Sequence, residues 1–362
     1  MIVVAKIGTS SITDDHGEVD RHAIEKLCAE VAGLRGMGHR VVVVTSGAIA
    51  AGQPALGLAG ARPADMATLQ AISAVGQSRL MRTYDDTLAA HGLVGGQVLL
   101  APLDFVHRKQ YLHARQTMAR LLELGVVPVV NENDAIADDE LRFGDNDRLA
   151  ALVAHLVDAA VLVLLTDTAG LLTGDPRLVA DASLIEEIVE VDRELERVAG
   201  RSASVHGSGG MASKLAAAKI AAWSGVRVVI ASARRPGVLA GAVAGQAVGT
   251  VLHPHDRRLP ARKLWIAFAK GSSGTVVVDE GARRALTERN TSLLPAGVVG
   301  VKGSFEPDDA VEIADHAGTV FAKGIVRHSS RRVEEWGGRR TSDLPPDLPH
   351  EVVHRDDLVV LA

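Results

Sequence analysis

At 362 residues the chain is longer than the roughly 250–300 at which a single core stops growing, so two domains are expected. It is 47% hydrophobic but only 3% aromatic, with 36 glycines, which suits Val-, Leu- and Ala-rich buried strands joined by tight turns. The net charge of -5 argues against a nucleic-acid or anionic-lipid partner, and one cysteine, Cys28, excludes an intramolecular disulfide and any multi-cysteine metal site, as in a cytoplasmic protein.

The chain enters an apolar run at once, Ile2 to Val4, with no basic segment or small-residue cleavage site before it, so no secretion signal is read there. β-Branched runs predict strands at 2–7, 41–45, 94–100, 126–130, 161–166 and 226–231. Between them, helical patterns cover 21–37, 65–90, 111–124 and 211–224, and Gly38, Gly125 and Gly225 supply the usual stop after three of these. Strands alternating with helices imply parallel βαβ units and an α/β fold. The most apolar stretch, 149–165, is broken by His155 and Asp158 and does not read as a membrane span.

After about Pro254 the character changes. A basic connector at 255–263 leads into short runs at 275–279, 298–303, 310–314 and 319–326, with a last strand at 357–361. This predicts a division into 1–255 and a small β-rich domain, 256–362. From Pro260 onward there are 14 Lys and Arg against 15 Asp and Glu, close to neutrality. The segment 329–350, with Gly337-Gly338 and three prolines, reads as a loop.

In open parallel sheets ligands bind beyond the carboxyl ends of the strands. The residues there are unusually polar: Lys6 and Gly8-Thr9-Ser10-Ser11, then Thr45-Ser46-Gly47, Asn131-Glu132-Asn133-Asp134 and Thr166-Asp167. A further loop, Gly207-Ser208-Gly209-Gly210, opens the helix that bears Lys214. Glycines at a strand-to-helix turn let backbone N–H groups approach a phosphate, and the helix N-terminus adds partial positive charge. A glycine turn alone is an ordinary connection, and a lone lysine an ordinary surface group; their coincidence on one sheet edge carries the weight. Lys6 resists the ordinary reading because it lies inside an apolar run, where an unpaired ammonium is costly. Asp145, Asn146 and Asp147 open a helix and suit plain N-caps, or carboxylates that orient lysines or Mg²⁺.

Familiar alternatives are absent. The chain has no G-x-x-x-x-G-K-[ST] loop, no G-x-G-x-x-G fingerprint and no H-E-x-x-H spacing among its histidines. His354-Arg355-Asp356 mimics a protein-kinase triplet, but no other kinase motif accompanies it.

Taken in order, Ala5-Lys6-Ile7-Gly8-Thr9-Ser10, Thr45-Ser46-Gly47-Ala48, Asn131-Glu132-Asn133-Asp134, Phe143-Gly144-Asp145-Asn146-Asp147, Thr166-Asp167 and Gly209-Gly210-Met211-Ala212-Ser213-Lys214 closely resemble the bacterial glutamate 5-kinase family. The likeness runs on through Asp175-Pro176-Arg177 and Ser292-Leu293-Leu294-Pro295-Ala296-Gly297 into a C-terminal region similar to a PUA domain. The resemblance implies an amino-acid-kinase fold, a three-layer αβα sandwich with a mainly parallel sheet, plus a β-rich PUA domain. It implies a cytoplasmic enzyme that uses ATP and Mg²⁺ to phosphorylate the γ-carboxylate of L-glutamate, the first step of proline biosynthesis, with inhibition by proline. It further implies a homo-oligomer, dimer or tetramer, and a glutamyl phosphate reductase as recipient of the product.

By motif matching, Ser46, Asp134 and Asn146 hold glutamate. Lys6, Gly8, Thr166, Asp167, Ser208, Gly209, Gly210, Met211, Ala212, Ser213 and Lys214 hold the nucleotide. Lys6 and Lys214 neutralise the transition state and Asp147 aligns them, with no direct protein ligand to the metal assigned. Ser208 departs from the family's usual threonine and Leu172 from its tyrosine, which puts adenine-side packing in question. The chemistry agrees independently: a carboxylate acceptor, with a pKa of about 4.3, is already ionised at neutral pH and needs no general base. Rival readings are a kinase of acetylglutamate, aspartate or a nucleoside monophosphate on the same fold, or an RNA-binding PUA protein.

Overall fold

The computed structural model describes the chain apart from residues 15, 59–62, 64, 106, 137–145, 175–178, 180, 192, 202–209, 256–257, 270, 346–347 and 362. It divides into two compact units, Met1–Arg258 and Leu259–Ala362.

The first unit runs β1 (Ile2–Ile7), α1 (Thr9–Ile12), α2 (Arg21–Gly36), β2 (Arg40–Thr45), α3 (Ala48–Gly52), α4 (Met66–Ala89), β3 (Gly95–Leu100), α5 (Arg108–Glu123) and β4 (Val127–Glu132). It continues through α6 (Asn146–Leu156), β5 (Val161–Thr166), β6 (Glu187–Ile188), α7 (Arg193–Arg201), α8 (Met211–Trp223), β7 (Arg227–Ser232), α9 (Val238–Val243) and β8 (Gly249–Leu252). The strands form one sheet in the order β3-β4-β2-β1-β5-β7-β8-β6. All neighbours from β3 to β7 pair parallel, whereas β8 runs antiparallel to β7.

Period-two alternation divides this sheet into two apolar faces. Val3, Ala5 and Ile7 of β1 join Val41 and Val43 of β2 and Val161, Val163 and Leu165 of β5 in a core shared with α2, α4 and α9. The opposite face carries α5, α6 and α8, with α6 lying across β1, β2, β4 and β5. Helices on both faces make the three layers that the family resemblance implies. Lys6, out of phase with Val3, Ala5 and Ile7, faces the α6 and α8 layer.

Helices α3 and α4 cross at backbone contact. A Cβ on Gly76 would overlap the Ala48 carbonyl oxygen, and one on Gly52 would overlap the Ile72 carbonyl oxygen, so both positions require glycine. That crossing fixes the register of α4 against the turn that carries Ser46 and Gly47.

The second unit holds a five-stranded sheet ordered β10-β9-β11-β12-β13, formed by β9 (Gly274–Val278), β10 (Val298–Gly303), β11 (Ala310–Ala314), β12 (Val320–Val326) and β13 (Val353–Val360). Only β9 and β11 pair parallel. Its core gathers Val276, Val278, Phe305, Ile313, Phe321 and Val333. Two readings need correction. The segment 329–350 is not wholly loop, because Ser330–Trp336 is helical and buries Val333 and Trp336. The last strand begins four residues earlier than the apolar pattern suggests, since its outward-facing His354, Arg355 and Asp356 hide the start of the alternation.

Candidate active site

The carboxyl ends of the strands from β1 to β5 bring the singled-out residues together. Lys6 is 3% exposed at the end of β1, and its Nζ lies 2.6 Å from Oδ1 of Asp147, the second residue of α6. Lys214, one turn into α8, places its Nζ 3.2 Å from Oδ2 of the same carboxylate. Ser213 donates its hydroxyl to that oxygen at 2.6 Å. A Cβ on Gly8 would stand 3.3 Å from Lys6 Nζ, so the ammonium rests over a residue with no side chain to crowd it.

Asp147 is 1% exposed. Burial works to raise its pKa, but the charges of Lys6 and Lys214 and the hydrogen bonds from Lys6 and Ser213 outweigh it and hold the group at about 2. Two nearly buried ammonium groups thus converge on this one carboxylate. A buried ion pair adds little stability by itself, so a cluster of this kind points to a functional site rather than to the fold.

One residue earlier on α6, Asn146 faces a different neighbourhood. Its Nδ2 donates to Ser46 Oγ at 3.0 Å, and its Oδ1 accepts from the Glu132 backbone N–H at 3.2 Å. The Glu132 N–H also donates to Asn131 Oδ1 at 2.9 Å, and Asn131 Nδ2 donates to Gln77 Oε1 at 2.8 Å. Asp134, 8% exposed, accepts the Ser73 hydroxyl at 2.7 Å. Behind this row the Thr45 hydroxyl and the Tyr84 phenol are 2.8 Å apart, and burial raises the Tyr84 pKa well above its ordinary value.

Of the remaining candidates, Thr166 closes β5 and donates to Asp167 Oδ1 at 3.0 Å. Among the described residues no bond joins either to the lysine pair. Gly210 caps α8 with an extended backbone and no side-chain hydrogen bond, and Met211, Ala212, Ser213 and Lys214 form its first turn. Ser208 and Gly209 lie outside the described residues, as do Phe143, Gly144 and Asp145, and Asp175-Pro176-Arg177. Leu172 lines a small apolar pocket of about 20 Å³ with Val198, Ala199 and Met211, beside the start of α8. A larger cavity, about 270 Å³, opens elsewhere, between Ser10, Ser11, Lys26, Glu30, Asp167 and Arg234. It reaches Thr166 and Asp167 but none of Lys6, Asp147 and Lys214, and the buried charges are the stronger pointer to chemistry.

The sequence reading missed Ser73, Gln77 and Tyr84, all on α4. A signal existed. Ser73 and Gln77 sit one turn apart inside the stripe Leu69, Ile72, Gly76, Leu80, and hydrogen-bonding side chains on a buried face need partners.

Comparison with known proteins gives the same picture. Residues 1–232 match the amino acid kinase family and residues 274–345 the PUA domain. The chain is 43% identical to a glutamate 5-kinase of Pelobacter propionicus over 363 residues, covering 99% of this chain and 97% of that protein. It is 45% identical to a glutamate 5-kinase of Citrifermentans bemidjiense, with the same coverage. Among solved structures, carbamate kinase from Giardia lamblia bound to AMP-PNP superposes with a TM-score of 0.51 at 19% identity, over 70% of this chain and 98% of that one, a likeness of fold.

Proposed function

The chain belongs to the amino acid kinase family, and we propose that Lys6, Asp147 and Lys214 are the centre at which it moves the γ-phosphoryl group of ATP onto the side-chain carboxylate of free L-glutamate. The products are L-glutamyl 5-phosphate and ADP. This is the glutamate 5-kinase reaction, the first step of proline biosynthesis, and relatives that match the whole length carry that name. The observation that carries the assignment of the centre is the convergence of two ammonium groups, from β1 and from α8, on one buried carboxylate.

An oxygen of the γ-carboxylate attacks the γ-phosphorus, the bond from that phosphorus to the β,γ-bridging oxygen breaks, and ADP leaves with the electron pair. No proton has to be removed from the acceptor, so the site requires charge and alignment rather than a base. Lys6 and Lys214 stabilise the charge spread over the transferring group and the leaving oxygen. Asp147 holds the two ammonium groups together until the phosphate arrives. Ser46, Asp134 and Asn146 hold glutamate, with Asp134 facing the α-ammonium. Gly8, Thr166, Asp167 and the start of α8 from Gly210 to Lys214 receive the phosphates, where the helix N-terminus favours anions.

Mg²⁺ would arrive on the nucleotide and neutralise its β- and γ-phosphate oxygens. The donor set suits that route. Both oxygens of Asp147 are engaged by Lys6, Lys214 and Ser213, and no group of three or more metal-binding side chains occurs among the described residues. Among those residues no helix is long and apolar enough to cross a membrane. The product is a reactive acyl phosphate, so a glutamyl phosphate reductase is the expected recipient, and proline is expected to compete at the glutamate loops.

The test is ADP release with L-glutamate, with hydroxylamine trapping the product as the γ-hydroxamate. Acetylglutamate, aspartate and UMP serve as competing acceptors. Preference for acetylglutamate, whose nitrogen is uncharged, would overturn the placing of Asp134 against an ammonium.

A further inference from the structure

Ser73 is 3% exposed in the middle of α4. A serine in that position ordinarily bonds back to the carbonyl one turn earlier in its own helix. Here its hydroxyl is instead given to Asp134 Oδ2 at 2.7 Å, across 61 residues of chain. One turn along, Gln77 uses its amide in the same direction, with Oε1 accepting the Asn131 Nδ2–H at 2.8 Å.

The amide orientations in this row follow from the hydrogen bonds. The Glu132 N–H donates to Asn131 Oδ1 as well as to Asn146 Oδ1, so Asn131 offers Nδ2, and Gln77 in turn offers Oε1. Gln77 Nε2 is then left buried without a partner among the described residues. A residue chosen for packing alone would not carry that cost on a buried face, where leucine or methionine serves. Both polar side chains of this turn therefore serve the end of β4 and the loop after it. The glycine crossing of α3 and α4 holds α4 in the register that lets them do so.

We propose that Ser73 and Gln77 are positioning residues that aim Asp134 and Asn131, and that through Asp134 they set the preference for a substrate bearing an α-ammonium over a plain dicarboxylate. The inference rests on the reading that Asp134 meets the ammonium. The Ser73 hydroxyl fixes Oδ2, so the carboxylate is presented in one rotamer and the ammonium meets a pre-organised partner. Neither side chain touches the transferring phosphoryl group, so the effect falls on recognition of the acceptor.

Full-length wild type, Ser73→Ala, Ser73→Thr, Gln77→Met and Asp134→Asn are compared for kcat and KM with glutamate, for KM with ATP, and for the inhibition constant of glutarate, which lacks the amino group. Ser73→Ala is expected to raise KM for glutamate about tenfold, the loss of one charge-assisted hydrogen bond. Its kcat, its KM for ATP and its glutarate constant should stay within about twofold. Ser73→Thr should restore KM, and Gln77→Met should show the same pattern at about threefold. Equal weakening of glutamate and glutarate by Ser73→Ala, or no change in either, overturns the inference. If Asp134→Asn weakens both ligands alike, the assignment of Asp134 itself falls and the inference with it. If Asp134→Asn discriminates and Ser73→Ala does not, only the inference falls. Melting temperatures of all variants separate a positioning effect from a loss of fold, which would lower ATP and glutarate binding together.

Discussion

Asn146 donates to a serine hydroxyl while its neighbour Asp147 is gripped by two lysines, so a single helix start divides the sheet edge into an uncharged half and an ionised half. In the first half Ser46, Asn146, Asn131 and Gln77 are joined through the Glu132 N–H in a chain of neutral hydrogen bonds whose members fix one another's orientation, and Asp134 is held beside it by the Ser73 hydroxyl. Such a network is stiff and makes shape and donor pattern specific, which is what recognition of an amino acid requires. The ionised half contains charges that cost free energy to bury and are held by their ion pairs and by the Ser213 hydroxyl. In the proposed reaction this half receives the phosphate. If the proposed roles hold, the difference teaches that burial of polar groups serves two ends along one sheet edge: binding where the hydrogen bonds are neutral, transition-state stabilisation where the groups are ion-paired.

The comparison breaks most easily at the lysines. Lys6→Ala and Lys214→Ala should each lower kcat by about 10²–10³, the usual effect of removing one preorganised transition-state contact, while KM for glutamate moves little. Steady-state kinetics on both purified variants decide it. A rise in glutamate KM with turnover intact would mean that the ionised half binds rather than catalyses.

On the other side of the division, Asn146→Ala removes the hydrogen bond to Ser46 and leaves the Glu132 N–H to Asn131 Oδ1. It should raise KM for glutamate about tenfold and leave kcat within about threefold, the mark of uniform binding. Comparable loss in kcat would show that the two halves do not divide the work, and that the whole start of α6 acts as one unit.

How much of this was legible in the sequence differs between the halves for a physical reason. Lys6 stood out because a charge inside a run of β-branched residues violates the local pattern, and such violations collect at functional sites. The strands β1 and β5, each a run of at least four apolar residues, have the bounds that the sequence predicts. The uncharged half was only partly legible. Asn131 and Asp134 lie in a conspicuous polar cluster, but Ser73 and Gln77 are common helix residues whose importance comes from a partner more than fifty residues away. Strands β6 and β8 escaped notice because two and four residues are too few for a period to register. In the second unit, helix 330–336 was hidden by the glycines and prolines that follow it.

The smallest effect concerns what holds the ionised half together. Asp147 titrates near 3.8 in the unfolded chain and at about 2 in the fold, because Lys6 and Lys214 outweigh the burial that works to raise it. A depressed carboxylate of this kind contributes stability that is fully present above the unfolded value and is lost as pH falls through the folded one. Between about pH 4 and pH 2 the unfolded chain therefore binds up to nearly one proton more than the fold at this position alone. Asp147→Asn removes that difference, so urea midpoints measured from pH 5 down to pH 3 should fall less steeply in the variant than in wild type, by a slope corresponding to a fraction of a proton. The variant should still be less stable at pH 5, where two buried ammonium groups have lost their common partner. Parallel slopes would mean that the lysines do not hold Asp147 ionised, and the contrast with Asn146, one residue away, would then be one of position and not of charge.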